Sequence, residues 1–193
     1  AAPLDIEEPV SFTFGDKITL LGFQGPSDGI QPGRKEKFVL YWQANEKVEH
    51  DYSVDIQVID AKGRLRGATR TYPGHGTFPT SFWEPDYPFR DVYYIDVGSD
   101  MPTPGLARVK LHMYDHRTGK RLQVTGSDGE AVGDAAIFGR LRAYAEESRR
   151  GEATSSLASY DESIDLVAYQ GPSYLAPGET ARFALQWVCQ RPP

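Results

Sequence analysis

Three segments of this chain place their larger apolar residues at every second position. They are Phe38-Val39-Leu40-Tyr41-Trp42, Tyr52-Ser53-Val54-Asp55-Ile56-Gln57-Val58 and Ala107-Arg108-Val109-Lys110-Leu111-His112-Met113. A period of two sends successive side chains to opposite faces of a strand, so each segment offers one face to a core and one to water. Antiparallel sheets read this way, whereas buried parallel strands read as unbroken apolar runs. Weaker strand signals lie near residues 12–14, 17–23, 64–72, 91–97, 121–124 and 135–143. Asp60-Ala61-Lys62-Gly63 and Asp115-His116-Arg117-Thr118-Gly119-Lys120 predict tight hairpins, with Gly63 and Gly119 supplying left-handed backbone. Only residues 140–150 carry a helical signal, as a strand fraying into a charged linker. Many short strands with few helix signals predict an all-β, Ig-like antiparallel β-sandwich over residues 10–143, with a jelly roll as the alternative order.

Composition narrows the function classes. The 193 residues are 39% hydrophobic and 25% charged, which is too apolar for a disordered chain. A net charge of −6 and a pI of about 5.2 give no basic footprint for nucleic acid. The longest apolar runs, such as Ile18–Phe23, are too short for a membrane-spanning helix. The lone Cys189 has no partner for an internal disulfide.

The sequence also repeats itself. Ile18-Thr19-Leu20-Leu21-Gly22-Phe23-Gln24-Gly25-Pro26-Ser27 precedes Pro32-Gly33 and Phe38-Val39-Leu40-Tyr41-Trp42. The same order returns as Ile164-Asp165-Leu166-Val167-Ala168-Tyr169-Gln170-Gly171-Pro172-Ser173, Pro177-Gly178 and Phe183-Ala184-Leu185-Gln186-Trp187. The expected layout is a sandwich, a linker over 144–160, and the first two strands of an incomplete second repeat over 161–193 in a longer tandem array. Those last strands have three possible fates: pairing with the first domain, pairing with another molecule (a route to homo-association through 161–193), or mobility. Trp42 and Trp187 occupy matching positions and both read as core.

The motif order resembles a known family. Asp16-Lys17-Ile18-Thr19-Leu20-Leu21-Gly22-Phe23 and Leu40-Tyr41-Trp42-Gln43-Ala44 come first. Asp60-Ala61-Lys62-Gly63-Arg64, Gly76-Thr77-Phe78-Pro79-Thr80-Ser81-Phe82-Trp83, and Leu111-His112-Met113-Tyr114-Asp115 with Thr118-Gly119-Lys120 follow. This series is similar to the β-sandwich domain carried beyond the membrane-spanning part of some bacterial multi-pass glycosyltransferases, and to domains of uncharacterised envelope proteins. The resemblance implies an accessory, extracytoplasmic domain without transferase chemistry. Its partners would be other domains of a parent protein or components of the cell envelope. The aromatic stretch Asp86-Tyr87-Pro88-Phe89-Arg90 departs from the family's usual segment.

The connection between Tyr72 and Asp91 is the candidate binding site. It carries Tyr72, His75, Phe78, Phe82, Trp83, Tyr87 and Phe89, and aromatic faces stack on sugar rings. Tyr72, His75, Trp83 and Tyr87 are the expected glycan contacts. The competing expectation is a loop that packs its aromatics over the end of the sandwich. His112 and His116 span a strand end and a turn, which separates their rings and argues against zinc. Asp128, Glu130 and Asp134 lie in a Gly-rich stretch whose spacing departs from the calcium loop, so they read as a solvated turn. Asp51 and Asp55 read as facing water, and Cys189 as a small buried or half-buried residue. No cofactor, metal or catalytic constellation is expected. The reading is a non-catalytic accessory or interaction domain, with a carbohydrate-binding module as the alternative.

Overall fold

Phe38, Leu40 and Trp42 are all fully buried on one side of their strand, as the alternation predicts, but Val39 and Tyr41 on the other side are buried as well rather than in water. Val54, Ile56 and Val58 from a second strand and Val109, Leu111 and Met113 from a third join the same core. The computed structural model describes residues 4–144, 158–160, 164–171 and 180–189. Its strands are β1 (Glu8–Phe14), β2 (Ile18–Gln24), β3 (Lys35–Ala44), β4 (Tyr52–Asp60), β5 (Leu65–Thr71), β6 (Phe89–Asp96) and β7 (Gly105–Asp115). There follow β8 (Val124–Thr125), β9 (Ala131–Gly133), β10 (Ala136–Ala143), β11 (Ala158–Tyr160), β12 (Ile164–Gln170) and β13 (Ala184–Cys189).

One sheet runs β6-β3-β2-β1-β8-β9 and the opposing sheet runs β10-β7-β4-β5. Their strand pairs are antiparallel, and their inner faces share one core, so this part of the chain is an all-β, Ig-like antiparallel sandwich. The expected β4–β5 hairpin forms with Gly63 at φ 75°. The turn at 115–120 also forms, with Gly119 donating its N–H to the Asp115 carbonyl at 2.7 Å. The chain after that turn behaves differently from its strand signal. Tyr114 and Arg121 make one isolated bridge, and the segment then crosses to the other sheet, where Val124 and Thr125 pair with β1.

The two sheets are tied along the β5/β6 side. Gly98 donates to the Arg66 carbonyl at 2.6 Å, and Gly67 bridges Val97. A Cβ on Gly67 would come within 2.7 Å of the Asp96 carbonyl, so only glycine admits this approach. The buried Asp60 accepts hydrogen bonds from the Lys62 and Arg64 amides and from two nitrogens of Arg66. Arg66 also pairs with Asp100 in the β6–β7 connection.

The second copy departs from expectation in three ways. It has three strands among the described residues, because β11 falls inside the expected linker and pairs with β12. These strands hydrogen-bond to one another as a separate sheet, β11-β12-β13. Trp187 is exposed where core burial was expected. The ladder itself is repeated closely. Leu20 faces Trp42 and Phe23 faces Leu40 across β2–β3, with a register shift between Leu20 and Gly22. Leu166 faces Trp187 and Tyr169 faces Leu185 across β12–β13, with the shift between Leu166 and Ala168. Residues 140–143 lie in β10 and are strand; 145–150 fall outside the described residues, as do Pro177-Gly178 and the side chain of Cys189.

Candidate functional site

The connection from β5 to β6 spans the end of the sandwich where β3 finishes and β4 begins. Two short 3-10 turns, Gly74–Gly76 and Thr80–Phe82, shape it. His75 at φ 55° and Asp86 at φ 60° take left-handed backbone at two of its bends, a conformation His and Asp tolerate better than most residues. Polar side chains fix it to the strands. The Thr80 hydroxyl is buried, donates to the His50 carbonyl at 2.7 Å and accepts from the Tyr52 amide at 3.0 Å. Asp91 accepts from the Gly74 amide at 2.8 Å, and Asp51 from the Ser81 amide at 3.1 Å. Lys47 donates to the Ser81 carbonyl at 2.6 Å. Further along, Asp86 donates its amide to the Ala44 carbonyl at 2.9 Å, holding that part of the loop to the end of β3.

The aromatics divide into two groups. Trp83 is 1% exposed, so its expected place among glycan contacts is corrected: it is core. Its ring lies 5.9 Å from Trp42 and 4.7 Å from Phe89, the latter edge-on, and its Nε1 donates to the Phe78 carbonyl at 3.2 Å. Phe78 and Phe89 are half-buried and meet edge-on at 5.1 Å. With Phe14, 5.9 Å from Trp42, these rings plug the end of the sandwich. The aromatic pairing adds about 0.5–1.5 kcal/mol per contact beyond simple burial. The physical reason for the correction is that an open sandwich end needs apolar cover, and this loop supplies it.

The other expected contacts lie in different places. Tyr72 is half-buried, its ring 6.0 Å from His116 on the β7–β8 turn. His75 is exposed and stacked on Tyr94 at 6.2 Å, on the outer face of β6. Tyr87 is 56% exposed and Phe82 67% exposed, so both keep open rings on the loop. Beneath the plug, burial raises the Tyr93 phenol well above its ordinary pKa, and the charge of Asp91 pushes the same way.

A second polar group lies on the outer face of β4 and β7, where sequence alternation placed Asp55 in water. Asp55 is instead buried. Its carboxylate accepts from Gln57 at 2.9 Å and lies 3.3 Å from Arg70, while His112 is its cross-strand neighbour. Long neighbours thus cover a short acid on a central strand. His112 is also buried, with Nδ1 2.8 Å from the Asp134 carbonyl. Burial lowers its pKa below the ordinary histidine value. The Asp134 carbonyl opposes this, and the charges of Arg121 and Lys110 add to it. His116 is exposed on the following turn, so the two histidines occupy different settings. Asp128 accepts from the Glu130 amide at 3.0 Å and Asp134 pairs with Arg121 at 2.9 Å. Among the described residues no group of three metal-ligating side chains comes together.

Grooves occur elsewhere. The repeated Gln24-Gly25-Pro26-Ser27 segment and residues 34–37 border a groove of about 450 Å³. Asp60, Arg66, Pro102 and Leu106 are among those lining another of about 560 Å³.

No protein-family model matches the chain, and no curated protein matches it. Among solved structures the chain is similar to a Bacteroides uniformis β-glucuronidase, at 12% sequence identity and a TM-score of 0.34. The match covers 58% of this chain and 13% of that one, so the chain spans a small part of that enzyme's length. A likeness of this degree carries no inference about activity.

Proposed function

We propose that this chain is a non-catalytic interaction domain of a larger envelope protein, placed outside the cytoplasm and docking to neighbouring domains of its parent or to envelope components. The observation that carries this reading is the fate of the aromatic connection. Trp83, Phe78 and Phe89 are spent on closing the sandwich, and Thr80, Asp91 and Asp51 are engaged in holding the loop down. A segment built in this way supports a rigid body. The family resemblance in the motif order points the same way.

A second reading has one observation in its favour. Phe82 and Tyr87 keep exposed rings, and such rings can stack on sugars. A glycan-array screen of the intact chain separates the two. The interaction reading expects no specific retention. Retention that Phe82→Ala with Tyr87→Ala abolishes, with the fold intact by circular dichroism, would replace it with a carbohydrate-binding function. Trp83→Ala is the wrong control, because it removes core.

A further inference from the structure

The two copies of the repeat share sequence, pairing register and the position of their register shift, yet differ in what lies over one face. In the first copy Phe38, Leu40, Trp42 and Phe23 are fully buried against the β10-β7-β4-β5 sheet. Their counterparts in the second copy are Phe183, Leu185, Trp187 and Tyr169, at 58%, 52%, 45% and 49% exposure. Cross-strand partners match as well: Leu40 with Phe23 and Leu185 with Tyr169, Trp42 with Leu20 and Trp187 with Leu166. Four large apolar side chains, three of them aromatic, therefore form one exposed face of a small sheet. Contiguous apolar surface of this kind marks an interaction site.

We infer that the Phe183–Leu185–Trp187–Tyr169 face of the β11–β13 sheet is a docking surface for an antiparallel β-sheet whose inner face repeats the chemistry of β4 and β7. That chemistry is branched and straight aliphatic residues at alternate positions, as in Val54, Ile56 and Val58 opposite Val109, Leu111 and Met113. The first copy is the template: the same register of large residues is covered there by that kind of face, packed as an aligned sandwich. A second copy of this chain cannot offer its own β4–β7 face, which is already buried in its first domain. Two β11–β13 faces brought together would set aromatic side chains against aromatic side chains, without the complementary aliphatic layer. This inference adds a partner to the interaction reading and rests on the repeat alone, so the glycan screen leaves it untouched.

The test supplies the inferred layer. The full chain is extended after Pro193 by a duplicate of residues 45–144, which carries β4 to β10. Both chains are labelled with 5-fluorotryptophan, and the Trp187 signal is assigned with Trp187→Phe. In the unextended chain Trp187 should show a large solvent isotope shift in its fluorine resonance, since Trp42 and Trp83 are buried and Trp187 is not. In the extended chain that shift should fall several-fold and stay low on tenfold dilution. A duplicate bearing serine at the positions copied from Ile56, Val58, Val109 and Leu111 should leave it high. Trp187 remaining solvent-shifted in the extended chain would overturn the inference, whether or not the added segment folds. Shielding of Trp187 in the unextended chain that disappears on dilution would overturn it too, in favour of self-pairing.

Discussion

Trp42 and Trp187 sit in ladders of the same register, yet one is fully buried and the other nearly half exposed. The same holds for Leu40 against Leu185 and for Phe38 against Phe183. The local pattern is therefore enough to set strand, partner and face. Burial is decided by a second layer that comes from far away in sequence, β4, β5, β7 and β10 in the first copy. An apolar stripe on a strand states which side should be covered and leaves open what covers it.

The comparison is broken most severely through its tryptophans. Trp42→Ala should cost about 3–5 kcal/mol of unfolding free energy, because it opens a cavity in the plug of rings. Trp187→Ala should change the unfolding of the first domain by about 0.5 kcal/mol or less. Urea denaturation followed by circular dichroism measures both, and similar losses would mean the second copy packs against the first. Next in size is the tie between the sheets. Asp60→Ala removes the acceptor of two backbone amides and of Arg66, and should cost about 2 kcal/mol. Burial works to raise the Asp60 pKa, but the hydrogen bonds from Arg64, Arg66 and Lys62 outweigh it and hold the carboxyl below the usual value. Its contribution is therefore present above the unfolded carboxylate range and lost as pH falls below about 4. Urea midpoints between pH 3 and 6 should show that loss in the native chain and less of it in Asp60→Ala.

A smaller effect concerns the outer face of the first copy. The folded state holds His112 below its ordinary pKa, so the unfolded chain takes up that proton first as pH falls. Stability from this source is full above about pH 7 and declines as pH drops through about 6.5. His112→Gln should flatten the slope of stability against pH between 7 and 5, whatever its offset. The smallest effect is expected at the open rings of the loop. Phe82→Ala and Tyr87→Ala should each shift stability by about 0.5 kcal/mol or less. A larger loss at either would move that ring from the surface group into the plug.

Much of this fold is legible in the sequence because alternation, turn glycines and the repeat agree with one another. Phe38, Leu40, Val54, Ile56, Val109 and Leu111 are core as their spacing implies, and Gly63 and Gly119 take the left-handed positions required of them. The failures share a cause, which is dependence on distant neighbours. Asp55 has the alternation of a water-facing residue but lies under Arg70 and Gln57 beside His112. Trp83 sits in a loop that reads either as a glycan surface or as a cover of packed aromatics over the sandwich end, and its burial fits the second. A signal was available for Trp83: a Trp flanked closely by Phe78 and Phe89 has the rings for a cluster of its own. Nothing in residues 121–125 announces that this segment leaves one sheet for the other.

That crossing sets an order of assembly. Thr13 and Phe14 find their outer neighbours, Thr125 and Val124, more than a hundred residues later in the chain. During synthesis at roughly 5–20 residues per second, one flank of β1 waits several seconds for its hydrogen-bonding partner. Closing so long a loop is slow compared with forming the adjacent β1–β2 hairpin. The nascent domain thus passes through a stage with a paired hairpin and an open edge. Among the first domain's strand pairs, the β1–β8 pairing marks the moment when that edge is withdrawn from neighbouring chains on the same message.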